Sequence, residues 1–523
     1  MYALAMLAAV AVVVVVGAFG ATRVRDLDDY YVMGRNAGTL LIAGTFFATW
    51  LSVVTFVGEV GLGWEWGLPM TLWTYASLWG ATLFALLIGV PLRRAKLLTA
   101  PDYFAERFGS RRMRSLATVC LLAGLSFYAV GQVTGAAVAL EVGTGLPYQA
   151  SVGLIAIGVT VYLALGGMVA VIWTDLVMFV VMTVAVALAV PFVLSAAGGW
   201  EALTTELPEK VPGIWAWNGP EGFPLAVCLG HALVWLGVTA SAPHLMTRAY
   251  AARDEKTFLN GMLLGSIVAG PFLLAVIGMG TAARLALPDL ASRDLVMPTL
   301  ARELVPLPVG CLLFAGILLA ATSTINTQVL TLAQALVKDI ASDLLGLDLP
   351  LAKITSWTRL AVVAVGLTLG AVALARPATV YTIARWGGGV FACTYLPILL
   401  LSLYWRGTTE RGAFWGGVTG LVLYTGLLTQ VEWVIGMPAF ASRYGLTANV
   451  WAAVANTAVV VGVSLATTRP AAEVAQAEVL MGRMFPPRSE RVVATSAVDY
   501  ALPVAAVVVP CLTMGAVGYA LLG

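Results

Sequence analysis

Histidine is nearly absent from this chain of 523 residues: it has two, His231 and His244, too few to build a histidine-held metal centre. The five cysteines (Cys120, Cys228, Cys311, Cys393, Cys511) are scattered, mostly through apolar segments, with no metal or disulfide spacing. They read as small buried residues. Charge is scarce, at 11% of residues. There is no phosphate-cradling glycine loop and no stretch polar enough for a soluble catalytic or signalling domain. These absences count against an enzyme, an ATP-driven pump, an organic cofactor, a nucleic-acid partner and a sensor with its own output module.

What remains is 60% hydrophobic. That is the composition of a polytopic all-α membrane protein. Apolar runs predict fourteen spans, near 2–22, 38–64, 68–92, 113–145, 149–166, 168–197, 223–247, 258–285, 306–345, 354–375, 379–404, 410–430, 449–467 and 499–521. With the N-terminus outside, only seven basic residues face outward: Lys210, Arg284, Arg293, Arg302, Arg376, Arg385 and Arg443. The other 22 of the 29 face inward. Basic residues accumulate on the cytoplasmic side, so both termini are expected outside a cell (plasma or inner) membrane. Spans two to six and seven to eleven form two groups of five. An odd number per group inverts the second against the first, the precondition for an inverted five-helix repeat transporter with a midplane site. The expected organisation is one transporter domain, 1–523: an extra helix (2–22), a first repeat (38–197), an inverted repeat (223–404) and C-terminal helices (410–523).

The most informative stretch is Leu319-Ala-Ala-Thr-Ser-Thr-Ile-Asn-Thr327, four hydroxyls and an amide inside an apolar span with no charge nearby. Hydrocarbon offers no water, so these groups must find partners within the protein. In isolation such residues usually bond the carbonyl one turn back. Ser323 and Thr324 are also hard oxygen donors suited to a small cation, and the Ala320 carbonyl points toward Ser323. The complement must come from another helix with broken backbone. Two candidates exist. The second span carries Gly44, Gly58, Gly61 and Gly63; the seventh carries Gly230, Gly237, Ser241 and Pro243. Gly387–Gly389 mark a close approach or hinge. Residues 98–110 read as an amphipathic helix on the inner surface, capped near Thr99. Asp175, about 10 Å into a span, points to a cation pathway or to a structural cap or salt bridge. Glu59 is a gate, solute contact or proton carrier, or a residue near the outer interface. His231 reads as a satisfied packing residue.

Six segments in order resemble the sodium:solute symporter family: Tyr31-Val-Met-Gly-Arg35; Ala48-Thr-Trp-Leu-Ser52 with Gly58-Glu-Val-Gly61; Thr99-Ala-Pro-Asp-Tyr-Phe-Ala-Glu-Arg-Phe108; Gly166-Gly-Met-Val-Ala-Val-Ile-Trp-Thr-Asp175; Pro243-His-Leu-Met-Thr-Arg248; and Ala320-Ala-Thr-Ser-Thr324. The resemblance covers nearly the whole chain and implies the inverted-repeat (LeuT-like) fold with Na+ as coupling ion. It implies a sodium site of the Ala48, Leu51 and Ala320 carbonyls with Ser323 and Thr324. It places Asp175 on the inward sodium path. A second sodium of some members would fall between Asp175, Asn326 and Thr327, weakened by the Asn. Sugar-transporting members carry polar side chains where this chain has Val54 and Thr55, and proline-transporting members an acid where it has Trp50. The run 243–248 looks more like the monocarboxylate branch.

The expected function is therefore sodium-coupled import of a small organic solute by alternating access, a monocarboxylate or small amino acid. The rivals are proton coupling and, from another class, a membrane sensor module. The solute pocket is expected between the paired breaks, with Trp50, Thr55, Trp235, Thr239 and Trp386 as contacts and largely apolar walls. Such walls disfavour a polyhydroxylated sugar.

Overall fold

Apolar runs interrupted by glycine and proline give helices, and in the computed structural model they do so throughout. It describes residues 1–429 and 448–487, with 505, 508 and 512. In chain order the helices used below are α1 (Tyr2–Ala21), α2 (Thr39–Trp50), α3 (Val60–Trp66), α4 (Ala100–Phe108), α5 (Arg111–Thr144), α6 (Tyr148–Ala196), α7 (Leu225–Ser241), α8 (Pro243–Ala251), α9 (Glu255–Ala286), α10 (Leu307–Gln334), α11 (Leu351–Ala373), α12 (Val380–Cys393), α13 (Tyr395–Tyr404), α14 (Glu410–Thr429), α15 (Ala448–Ala466) and α16 (Ala471–Met484). Ten helices among the described residues are long and apolar enough to cross a membrane, eleven if the bent α2/α3 pair counts as one span. The expected count of fourteen is not reached among the described residues. The segment expected at 149–166 is a shorter apolar helix, Tyr148–Thr160. It is joined to the next span, Gly166–Ala196, at Gly167, whose φ of 51° and ψ of −148° are not helical, so the two expected segments remain separate helical stretches within α6. That backbone conformation is open to glycine, and a Cβ there would stand 2.7 Å from the Tyr30 carbonyl oxygen. The segment 410–430 corresponds to α14, which is not among those ten, and 499–521 falls almost wholly outside the described residues.

Both expected breaks occur. The first helix ends at Leu51 (φ −86°, ψ 81°). The chain restarts at Ser52, whose hydroxyl accepts the Val54 amide at 3.1 Å and whose carbonyl accepts the Thr55 and Phe56 amides. A π-helical turn over Val54–Glu59 then leads into α3, bent 49° from α2. The second break lies at Ala242 (ψ 129°), because Pro243 cannot donate to the helix before it and starts α8 instead. The two broken segments also meet: Ala37 donates to the Ala251 carbonyl, and Arg253 to that of Ala37.

Gly387 serves close approach. A side chain there would run into the Gly124 carbonyl, so bare backbone lets α12 lie against α5. The helix expected over 98–110 is α4, started by a Thr99/Asp102 capping box. It is more buried than expected: Tyr103, Phe104, Arg107 and Phe108 are all in the core. Asp102 pairs with Lys338 at 2.6 Å and Arg114 at 2.8 Å. Burial alone would push its carboxyl up, but those two cations overcome it and hold it below the ordinary carboxylate range.

Candidate functional site: a cation cluster and a solute chamber

The polar stretch of α10 meets the broken end of α2. Ser323 Oγ donates to the Ala48 carbonyl at 2.7 Å and to the Ala320 carbonyl at 2.9 Å. Thr324 Oγ1 donates to the Thr49 carbonyl at 2.9 Å and to Ala320 at 3.3 Å. Three backbone oxygens and two hydroxyls thus converge from two helices, all fully buried. Four of the five expected ligands, Ala48, Ala320, Ser323 and Thr324, lie in this cluster. Leu51, the fifth, sits at the break itself. Thr49 was not anticipated, because a backbone oxygen leaves no mark in a sequence. The groups suit a hard cation: every donor is a neutral oxygen, and each hydroxyl can turn its proton away and offer a lone pair.

One turn along both helices lies a second cluster of different character. Asp175 Oδ2 accepts from Thr45 Oγ1 at 2.6 Å and from Thr49 Oγ1 at 3.3 Å. It pairs with Arg248 Nη2 at 3.2 Å, and both side chains are wholly buried. Arg248 also donates to Thr45, Thr49 and Thr327, and to the His244 carbonyl at 2.7 Å. The sequence reading had placed Arg248 in an inner loop; it is instead the counter-ion of Asp175. A guanidinium carries five donors on a long stem, so a residue that starts near a helix end reaches the interior. Asn326 is not drawn into this cluster; both of its amide atoms are buried without a partner.

Beyond the first break, aromatic rings from four helices gather into a cluster, the chamber in which a solute is proposed to sit. Tyr381 is the centre: its hydroxyl receives Trp235 Nε1 at 2.7 Å and lies 3.0 Å from His231 Nδ1. Trp66 stands edge-on to His231 (5.3 Å) and Tyr381 (6.4 Å), and Tyr128 edge-on to Trp235 (6.4 Å) and His244 (5.7 Å). Gln132 Nε2 donates to Ser52 Oγ at 3.1 Å. Of the expected contacts, Trp235 lines this space directly, and Thr55 begins the helical face that bounds it. Thr239 does not offer its hydroxyl: it bonds the Trp235 carbonyl at 2.8 Å, one turn back. Trp50 packs on Phe46 at 5.2 Å. Trp386 is half-buried, its carbonyl taking the Tyr424 hydroxyl at 3.1 Å. His231 is the satisfied residue it was expected to be. Tyr128, Gln132 and Tyr381 were missed. The spacing of Tyr128 and Gln132, four apart in an apolar run, was the available signal.

At the mouth, Arg293 pairs with Glu65, donates to Thr379 at 2.8 Å and Thr382 at 3.2 Å, and lies 5.6 Å from the Trp66 ring centre. Asp294 beside it accepts the Val380 amide at 3.0 Å, capping α12. Burial, only partly offset by that amide and by Arg293, raises its carboxyl to about 6.

A helical bundle with two broken helices, and a buried oxygen cluster where one of them meets α10, is the arrangement of a secondary transporter. The chain belongs to the sodium:solute symporter family, whose model matches residues 30–420. It is a multi-pass membrane protein that couples sodium to the movement of a small solute. It is 28% identical over 430 residues to the sodium/pantothenate symporter of Haemophilus influenzae, covering 77% of this chain and 85% of that protein. To the sodium/proline symporter of Escherichia coli it is 25% identical over 427 residues, covering 78% and 83%. The fold matches a substrate-bound, outward-open Na+-coupled sialic acid symporter (TM-score 0.72, 17% identity, 90% of this chain and 98% of that one). It also matches Mhp1, a nucleobase-cation-symport-1 family transporter (TM-score 0.54, 14% identity, 86% and 98%).

Proposed function

We propose that sodium binds where Ala48, Leu51, Ala320, Ser323 and Thr324 converge, and that this ion couples uptake of a small monocarboxylate or amino acid. The supporting observation is the double engagement of Ser323 and Thr324 with both halves of the cluster. Sodium there would hold α2 against α10, and an inward movement that parts the two helices would release it. A ligand shifts such an equilibrium only by binding one state better, and a shell drawn from two separable helices does that. The solute class is supported by the relatives, one named for a monocarboxylate and one for an amino acid. Low counts of free hydroxyls in the chamber disfavour hexoses.

The reading of Asp175, Asn326 and Thr327 changes. Arg248 already supplies the positive charge that a second sodium would bring, so we assign Asp175, Arg248 and Thr327 to a structural lock beside the site. We infer one coupling sodium, with both termini outside the membrane. Uptake of L-proline or pantothenate into proteoliposomes, driven by a sodium gradient and titrated with sodium, tests this. A sodium response with a Hill coefficient near one is expected. Uptake driven equally by a pH gradient in potassium would overturn sodium coupling, and sodium-driven galactose uptake would overturn the solute class.

A further inference from the structure

Asp175 and Glu59 both lie deep among the helices. Asp175 has its counter-ion; Glu59 has none among the described residues. Glu59 is 4% exposed and its Oε2 has no hydrogen-bond partner. Side chains four, seven and eleven residues apart share a helix face, so Thr55, Glu59 and Trp66 lie along one side. The adjoining face, at Gly58, packs closely on α12, since a Cβ there would stand 3.2 Å from Tyr381 Cβ. Trp66, on Glu59's own face, meets the edges of His231 and Tyr381. Glu59 therefore faces the aromatic chamber.

Most of the donors around it are spent; the buried His244 Nδ1 and Trp386 Nε1 are the ones without a partner. The Trp235 N–H goes to the Tyr381 hydroxyl, and that hydroxyl engages His231. Gln132 directs its N–H to Ser52 and leaves Oε1 unpartnered. The cations nearby are also engaged: Arg293 by Glu65 and two threonines, Arg248 by Asp175, and Arg385, one turn on from Tyr381, by a contact of its own. What this region offers a guest is chiefly a carboxylate oxygen, an amide oxygen and several ring faces, with the His244 and Trp386 ring nitrogens beside them. A buried acceptor left unpaired is costly, and the negative face of an aromatic ring attracts cations. Both features complement a guest rich in N–H donors.

We propose that Glu59 recognises an ammonium group: the transported solute carries a protonated primary or secondary amine, bound to Glu59 Oε2 and flanked by the Trp66 and Tyr381 rings. This rests on the symport reading and narrows its solute class from monocarboxylates to amino acids and related amines.

The test uses the full-length protein in proteoliposomes under an inward sodium gradient. The probes are L-alanine and L-proline against propionate, L-lactate and pantothenate, which lack the charged amine. Amine-bearing probes are expected to enter and to compete with one another, while the others neither enter nor compete. Glu59→Gln, nearly the same shape, should raise the half-saturating concentration of the transported amine at least tenfold. Glu59→Asp, which keeps the charge on a shorter stem, should fall between. The stabilisation of each variant by sodium over potassium, without solute, verifies folding. Uptake of propionate, lactate or pantothenate in preference to the amines would overturn the proposal. So would an unchanged half-saturation for the amine in a folded Glu59→Gln protein, and the competition series on the wild type decides the matter if that variant fails to fold. A wild-type protein indifferent to sodium in the thermal measurement would instead overturn the symport reading, so the two failures are distinguishable.

Discussion

The Ser323–Thr324 cluster and the Asp175–Arg248 cluster lie one turn apart on the same two helices, α2 and α10, and share Thr49 between them. The first is neutral throughout. Its hydroxyl–carbonyl bonds are each worth about 1 kcal/mol net, so an ion that offers better electrostatics can displace them and later give them back. The second holds a full charge on each side, out of water. Parting such a pair leaves a bare ion in low dielectric, at a cost of about 3–5 kcal/mol. We therefore propose that exchangeable ligands belong to the neutral cluster and fixed geometry to the charged one. Proximity to a carboxylate is a poor guide to where a mobile cation sits when an arginine is already there.

The most direct way to break this contrast is Asp175→Asn. The change strands the Arg248 guanidinium in the core, and we expect a loss of about 3–5 kcal/mol in stability, read by denaturation of the detergent-purified protein. Removing both charges together, as Asp175→Leu with Arg248→Met, should recover much of that loss. A single mutant that unfolds like the wild type would show that the pair does not carry the cost assigned to it.

Asp294 offers a third kind of buried acid, satisfied mainly by a backbone amide at the mouth. Its folded value, about 6, lies above the ordinary carboxylate value. Proton binding thus favours the fold: the contribution is fully present below about pH 4 and is lost as pH rises through about 6. Asp294→Asn keeps an oxygen for the Val380 amide and cannot ionise. Between pH 4 and 7 the mutant should gain on the wild type by up to about 3 kcal/mol, followed as melting temperature against pH. Parallel curves would show that Asp294 does not titrate in this range.

These contrasts also show what could be read from the chain beforehand. Ser323 and Thr324 were legible because hydroxyls crowded into an uncharged apolar run must be used for something. The breaks were legible because Pro243 forbids a continuous helix and because glycines cluster in the second span. Arg248 was not. The positive-inside rule assigns arginines near span ends to the water, and nothing local reveals a side chain that turns back. A salt bridge was among the readings open for Asp175, but its partner was not legible, since Arg248 is 73 residues away. Tyr381 was hidden for the same reason: aromatic residues are ordinary in membrane helices, and only the packing of α7 on α12 shows His231 and Trp235 sharing its hydroxyl. The span count exceeded the described helices partly because the stretch before Gly167 forms only the short apolar helix Tyr148–Thr160, and because 499–521 lies almost wholly outside the described residues.

Ser323→Ala and Thr324→Ala sharpen the neutral side of the contrast. Each deletes one oxygen from a shell of about five while leaving no charge behind. Each should raise the sodium concentration for half-maximal uptake about tenfold, equivalent to about 1.4 kcal/mol. Stability without sodium should move by about 1 kcal/mol or less. Half-saturation unchanged in both mutants would remove these residues from the ion site.

The finest division falls between Thr324 and Thr327, three residues apart on α10. Thr324 Oγ1 reaches the Thr49 carbonyl and belongs to the neutral cluster. Thr327 Oγ1 accepts from Arg248 Nη2 at 3.1 Å and donates to the Ser323 carbonyl at 3.3 Å, so it belongs to the charged one. Valine matches threonine in shape and lacks only the hydroxyl. Thr327→Val removes one of several acceptors around a guanidinium that keeps Asp175, Thr45 and Thr49, and a single such bond is worth about 1–2 kcal/mol. A loss of that size in stability is expected. The sodium concentration for half-maximal uptake should stay within about twofold of wild type, because no oxygen is taken from the ion's shell. Thr324→Val, at the same helical depth to within a turn, should give the reverse pattern. If Thr327→Val instead weakens sodium as strongly as Thr324→Val does, the two clusters act as one ion site, and Arg248 must leave Asp175 when sodium binds.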